Sequence, residues 1–178
     1  MKSILDQLRG GDSRSIGKSD EASQEVLRRP ALFGDLFAGL LDADRVVRMR
    51  AADAVEKVTR TRPKLLQPWK RALLDSLSTS EDKELRWHLA QMLPRLRLTP
   101  SERGQAVDIL TSYLKDKSSI VRTFSMQALV DLAARDERIL GQVTPLIEQL
   151  TQTGTPAMRS RGRKLLGELS RREGSGNG

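Results

Sequence analysis

Small and apolar residues recur along this chain with the period of an α-helix. The clearest stretch is Asp44–Arg60, in which these residues stand at i, i+4, i+7, i+8 and i+11: Val47, Ala51, Ala54, Val55 and Val58. Such spacing places them on one face of a helix, with polar residues on the other. The pattern therefore predicts an amphipathic helix whose small apolar face packs against a neighbour.

The same pattern returns three times, and each copy has an arginine directly after its first apolar position: Arg48, Arg86, Arg122 and Arg159. Successive arginines are 38, 36 and 37 residues apart. A period of this length is typical of repeat proteins, in which each repeat is one supersecondary unit.

Turn residues and prolines between the apolar stretches predict four helix pairs. The pairs are Pro30–Leu41 with Asp44–Arg60, Lys64–Leu77 with Asp82–Leu96, a helix from Thr99 to about Leu114 with Ser119–Arg135, and Glu137–Thr151 with Pro156–Arg172. No segment alternates with the period of a strand, so the predicted class is all-α.

Residues 1–29 are less regular. We expect a short helix at Ser3–Leu8, a Gly/Ser-rich loop, and a helix with its N-cap at Ser19 and Asp20. Together they would form an N-terminal helical cap on the repeats of residues 30–172. Residues 173–178 are predicted to be a disordered tail.

The motif V-R-x-x-A-x-x-A-L at the start of the second helices resembles the HEAT repeat. It is clearest at Val47-Arg48 and Val121-Arg122, and degenerate at Leu85-Arg86 and Met158-Arg159. The resemblance covers about residues 30–172. It implies a right-handed α-solenoid of about four antiparallel helix pairs, in the HEAT/armadillo manner. Proteins of this family are mostly scaffolds that hold other macromolecules on a curved surface.

In such a solenoid the second helices line the concave surface. The positions opposite the apolar stripe would then be candidates for partner binding: Arg50, Trp87, His88, Gln91, Gln127, Arg161 and Lys164. Trp87 has an alternative interpretation, in which it packs against a neighbouring repeat. We interpret the repeat arginines Arg48, Arg86, Arg122 and Arg159 as structural, with Asp44 as a possible partner in the first repeat.

The amino-acid composition and short motifs limit the kinds of site that we expect in this chain. The chain has no cysteine and a single histidine, so we expect no metal site, no cofactor and no catalytic set. Gly17, Lys18 and Ser19 match the end of a phosphate-binding loop, but Asp12 replaces its first glycine, and no nucleotide site is predicted. No apolar run could serve as a signal peptide or a membrane span, and the expected location is the cytoplasm.

Three functions compete. The first is a non-catalytic scaffold that grips a protein partner. The second is nucleic-acid binding, favoured by the net charge of +8 and by the arginine-rich last repeat. The third is an enzyme resembling the HEAT-type DNA glycosylases, with Asp53 and Trp87 in its groove. We rank them in that order; the sequence predicts neither the partner's identity nor an oligomeric state.

Overall fold

The computed structural model describes residues 3–12 and 14–175, with side chains up to residue 172. This part of the chain consists of helices and turns and contains no strand, so the all-α prediction is confirmed. The chain divides into two compact units, Met1–Arg97 and Leu98–Gly178. Within the described residues, every helix is too short or too polar to cross a membrane.

The first unit is built around one long helix. Its α-helices are α1 (Ser19–Arg28), α2 (Phe33–Ala38), α3 (Arg45–Thr61) and α4 (Lys83–Met92), with 3₁₀ turns at Ile4–Leu8, Pro30–Leu32, Gly39–Leu41 and Leu93–Arg95. Helices α1, α2 and α4 all pack against α3. The buried face of α3 is the predicted one: Val47, Ala51, Ala54, Val55 and Val58 are each 0% exposed.

The first helix of the second pair is irregular where a continuous helix was predicted. It consists of a 3₁₀ helix at Pro63–Trp69, a π-helical turn at Ala72–Ser76 and a 3₁₀ turn at Leu77–Thr79. Pro68 lies inside the first of these segments. Proline has no amide hydrogen and its ring clashes with the carbonyl group four residues earlier, so a regular α-helix cannot run through it without strain.

The second unit contains α5 (Pro100–Tyr113), α6 (Ser119–Ala133), α7 (Glu137–Thr153) and α8 (Pro156–Ser175). Helix α5 packs on α6, α7 packs on α6 and α8, and α6 packs on α8. Thr99 and Glu102 form a capping box at the start of α5, and the Ser118 side chain caps α6. Each satisfies amide groups that the first helical turn leaves without a partner.

Two terminal predictions need correction. Helix α1 begins at Ser19 itself, and Lys18 stands at the cap position with no side-chain hydrogen bond, so Ser19 is not its N-cap. At the other end, α8 continues through residues 173–175, which were predicted to be disordered; residues 176–178 lie outside the described part. Helix α2 packs on α3, α5 on α6 and α7 on α8, as the periodicity indicates, and the four-pair solenoid stays a prediction.

Candidate partner-binding surfaces

Arg48 connects its helix to the turn that precedes it. Its Nη1 donates hydrogen bonds to the carbonyl oxygens of Asp42 and Ala43, at 2.9 and 3.0 Å. Its Nη2 also lies 3.7 Å from Oδ2 of Asp82, at the start of α4. The proposed partner, the Asp44 carboxylate, instead accepts a hydrogen bond from the backbone of α3. Arg48 therefore ties the inter-helix turn to its helix without Asp44.

Two further repeat arginines make the same kind of contact. Arg86 Nε donates to the carbonyl oxygen of Ser80 at 2.6 Å, and Arg159 Nε donates to that of Gly154 at 2.8 Å. Arg122 departs from the pattern, because its buried Nε has no hydrogen-bond partner among the described residues. The recurring arginine thus has a local structural cause in three copies out of four.

Arg50 is buried, and the prediction that it lies on an open face is wrong. Its side chain is 2% exposed. Nε donates to the carbonyl oxygen of Ser15 at 3.0 Å, Nη1 to those of Leu8 and Gly10 at 2.8 and 2.5 Å, and Nη2 to that of Asp12 at 2.7 Å. The guanidinium therefore organises the N-terminal loop, which covers it and closes it to any partner.

Asp53 joins three helices of the first unit. One of its carboxylate oxygens, Oδ2, accepts a hydrogen bond from the Ser19 hydroxyl of α1 and lies 2.6 Å from the Lys57 ammonium. The same ammonium lies 2.5 Å from Oδ1 of Asp20 on α1. The other carboxylate oxygen of Asp53, Oδ1, lies 3.6 Å from Nε2 of His88 on α4. This charge cluster holds α1 and α4 to the polar side of α3.

The cluster also controls the ionisation of Asp53. Burial by itself would raise the pKa of this carboxyl group, but the neighbouring His88, Lys57 and Ser19 stabilise the charged form more strongly. Together they hold the pKa of Asp53 well below its ordinary value of 3.8. Both oxygens are engaged with neighbours, so the carboxylate has a structural role in this arrangement.

His88 is also buried, at 2% exposure, so its predicted place on an open face is wrong. Its Nδ1 lies 2.6 Å from the carbonyl oxygen of Glu84 and therefore carries a proton that it donates. Its Nε2 faces Asp53 at a distance too long for a good hydrogen bond. Both ring nitrogens are thus directed at protein oxygens.

Trp87 is partly exposed and lies against His88. The two ring centroids are 3.7 Å apart, with the ring planes tilted by 32°. On the same helix, the side-chain amide of Gln91, also partly exposed, donates to the carbonyl oxygen of Trp87 at 3.3 Å. The buried imidazole therefore fixes the orientation of an indole ring that solvent still reaches.

Trp69, the second tryptophan, packs on an aromatic neighbour. Its ring stacks on Phe37 with centroids 4.5 Å apart and an interplanar angle of 22°. It is the natural control for experiments on Trp87.

The second unit brings together two of the three candidates that lie in it. Arg161 Nη1 on α8 donates to the side-chain oxygen of Gln127 on α6 at 3.2 Å, and Gln127 in turn donates to Asp131 at 3.1 Å. Burial raises the pKa of Asp131 above its ordinary value, although Gln127 opposes the shift. Lys164 is exposed. Arg161 and Gln127 are thus partly committed to holding α8 on α6.

A second buried charge cluster surrounds Glu56, which is not among the residues that the helix pattern singles out. Glu56 is 2% exposed, and its carboxylate binds Arg60 at 2.6 Å and also binds Arg95. Arg95 donates as well to Thr59 Oγ1, at 2.9 Å. Burial disfavours the charged carboxylate, but the two arginines outweigh burial and lower the pKa of Glu56. The i, i+4 spacing of Glu56 and Arg60 is the sequence feature that indicates their ion pair. No spacing pattern indicates that Arg95 joins them.

No group of three or more metal-ligating side chains lies together in the described part of the chain. No protein-family model matches the sequence, and no curated protein is significantly similar to it. The likeness to HEAT repeats therefore rests on the residue spacing and stays a prediction.

Proposed function

We propose that this chain is a non-catalytic helical-repeat scaffold of the HEAT kind, acting in the cytoplasm, and that it binds a protein partner around Trp87. The observation that carries the proposal is the partly exposed indole ring that lies against buried His88, with ring centroids 3.7 Å apart. Tryptophan is the residue type most enriched in interface hot spots. A ring whose orientation is already fixed loses little entropy on binding.

Gln91 supplies a polar neighbour for this contact. It is partly exposed on the same helix face, four residues after Trp87. An aromatic anchor beside an adaptable amide is a common composition of protein interfaces, in which the amide can exchange its internal hydrogen bond for one to the partner. In this proposal His88 supports the Trp87 ring and Arg50 holds the N-terminal loop, and neither buried side chain contacts the partner.

The arrangement of Asp53 does not favour the glycosylase alternative. Such an enzyme would need a carboxylate free to act in the groove beside aromatic rings. Here Ser19 and Lys57 both bind one oxygen of Asp53, and His88 lies against the other. We therefore assign Asp53 to the framework of the first unit.

A photo-crosslinking residue at Gln91 tests the proposal in cells, with a crosslinker at the exposed Gln142 as the matched control. We expect position 91 to capture a protein that position 142 does not. With that protein purified, Trp87→Ala should weaken binding by about 2 kcal/mol or more, while Trp69→Phe should leave binding unchanged.

Folding measurements separate contact from packing at Trp87. In the Trp69→Phe variant, Trp87 is the only emitter, and we expect acrylamide to quench it. A blue-shifted, unquenched Trp87, together with a loss of about 3–5 kcal/mol of stability in Trp87→Ala, would identify a packing residue and overturn the proposal.

A further inference from the structure

The N-terminal ends of α6 and α8 lie at the same end of the second unit. Arg161, near the start of α8, contacts Gln127 near the middle of α6. Further along both helices, Asp131 of α6 is under the electrostatic influence of Glu168 and Arg172 of α8. The two helices are therefore parallel, and the turns that lead into them are neighbours.

Four basic residues gather at this end: Lys115, Lys117, Arg122 and Arg159. We call this set the basic edge. Lys115, Lys117 and Arg159 are exposed and Arg122 is partly exposed. None of the four has an ion pair with any described residue, whereas Arg103 and Arg138 of the same unit pair with Asp136. The nearby acidic residues are Asp116 and Glu148.

At the corresponding ends of α3 and α4 in the first unit, carboxylates lie close to the arginine side chains and balance their charge. Their caps are the carboxylates of Asp44 and Asp82. Arg48 also lies near Asp82, and Arg45 pairs with Glu84 at 3.0 Å. In the second unit the caps of α6 and α8 are the uncharged hydroxyls of Ser118 and Thr155. The same place in the helix pair thus carries paired charges in one unit and an excess of basic side chains outside ion pairs in the other.

Arg122 adds a donor that the fold leaves unused. In Arg86 and Arg159 the Nε atom donates to a carbonyl oxygen of the preceding turn. The Nε of Arg122 is buried and has no such partner. A buried donor without an acceptor is costly, so this arginine is held less firmly by the preceding turn than Arg86 and Arg159 are.

We propose that the basic edge binds the phosphate backbone of duplex DNA. A cluster of lysine and arginine side chains outside any ion pair suits the phosphates of a duplex, and contacts of this kind carry most sequence-independent affinity. Single strands are usually held by bases stacked on aromatic rings. The aromatic residues of this unit are Tyr113, which is buried, and Phe124, which lies beyond the first turn of α6 and is only partly exposed.

The edge lies within Leu98–Gly178 and does not involve Trp87, so its test is separate from that of the proposed protein contact. The test compares two double variants. One combines Lys115→Glu and Lys117→Glu, and the other combines Arg135→Glu and Arg138→Glu. All four side chains are exposed, and both double variants change the net charge equally. Arg135 lies in the turn after α6 and Arg138 lies in the first turn of α7, at the end of α6 opposite the basic edge.

Binding of a fluorescent DNA duplex would be measured by anisotropy over a series of salt concentrations. We expect the wild-type affinity to fall steeply with salt. We expect the lysine double variant to bind about tenfold more weakly at low salt and to lower the slope of log K against log salt by about two. The arginine double variant should keep the wild-type slope.

Other outcomes would overturn the proposal. Equal losses in both double variants would show attraction to net charge alone. Tighter binding of a single strand than of the duplex would assign the surface to another form of nucleic acid. Binding to vesicles of anionic phospholipid without binding to the duplex would assign it to a membrane, and absence of duplex binding at low salt would leave the edge without this ligand.

Discussion

Gly17 lies directly against the guanidinium of Arg50: a Cβ atom added to Gly17 would come within 2.7 Å of Arg50 Cζ. Gly17 also has a φ of +55°, a conformation that residues with a Cβ rarely adopt. We expect Gly17→Ala to destabilise the first unit by more than about 1 kcal/mol. Urea unfolding would measure the loss, and hydrogen exchange would locate it in the loop that Arg50 holds.

Gly10 provides the matched control for this prediction. Its φ is +72°, but a Cβ atom there would meet nothing within 4 Å. Gly10→Ala therefore carries the conformational cost without the collision, and the difference between the two variants reports the contact with Arg50. Equal losses would show that Gly17 matters only for its backbone conformation.

Asp53 should make the first unit sensitive to acid. Its carboxyl pKa is held below the ordinary 3.8, so the folded state keeps the charge to lower pH than the unfolded state. The stability that this shift adds is fully present above the unfolded-state pKa of 3.8. It is lost as the pH falls towards and through the lower pKa of the folded state. We expect Asp53→Asn to be less stable at neutral pH and to reduce the acid slope by up to about 1.4 kcal/mol per pH unit.

Urea midpoints measured between neutral pH and pH values below 3.8 would follow this effect. The control is Asp35→Asn, because Asp35 is exposed on α2. An acid slope that is the same in Asp53→Asn and in the wild type would mean that other carboxyl groups, such as Glu56, account for the acid sensitivity.

Breaking the ion pair of Glu56 with Arg95 should cost more stability than breaking the ion pair of Glu56 with Arg60. Glu56 has a side chain that is 3% exposed, and that of Arg95 is 19% exposed. Replacing Arg95 with alanine leaves a buried carboxylate with one partner fewer, and we expect a loss of about 3 kcal/mol or more. Arg60, at 65% exposure, binds the same carboxylate from solvent, and Arg60→Ala should cost less than about 1 kcal/mol.

A double-mutant cycle of Glu56→Gln with Arg95→Ala, followed by urea unfolding, would isolate the coupling of the pair. A coupling energy near zero would contradict the structural role of Arg95. It would show that Arg95 acts instead through Thr59 and the α3 backbone.

Gly104 and Gly162 should respond in opposite ways to the same substitution. Both are inside helices, but a Cβ atom on Gly104 meets nothing within 4 Å, whereas one on Gly162 would collide with Thr151 Oγ1. We expect Gly104→Ala to stabilise the second unit by about 0.5–1 kcal/mol. Gly162→Ala should destabilise it, by about 1–3 kcal/mol, because α7 and α8 must separate.

Thermal unfolding of the two variants would test this pair. Thr151→Ala removes the hydroxyl that collides, so the double variant should regain part of the loss. If Gly162→Ala alone raises the melting temperature, α8 does not approach α7 as closely as described.

The helices and their buried faces could be predicted because both depend on local order along the chain. Val47, Ala51 and Val55 share a helix face whatever the rest of the molecule does. The segment Pro63–Trp69 departs from the predicted continuous helix, because the apolar pattern around it has helical spacing while Pro68 interrupts the backbone hydrogen bonding.

The exposure of polar residues could not be predicted in this way. Periodicity places Arg50 and His88 opposite the apolar stripe, and that side was expected to face solvent. Instead, Arg50 is enclosed by carbonyl groups 35–42 residues earlier in the chain, and His88 faces Asp53 on another helix. Helical spacing specifies the side on which a residue lies; it does not specify what covers that side.

By itself, the sequence determined the all-α class, the approximate ends of most helices and the apolar stripe of each second helix, because these follow from residues within one or two helical turns. The tertiary structure alone decided that Arg50 is enclosed while Trp87 is not, and that Gly162 is crowded while Gly104 is open. Those outcomes depend on segments distant in the chain, whose approach is set by packing and hydrogen bonding of the whole unit.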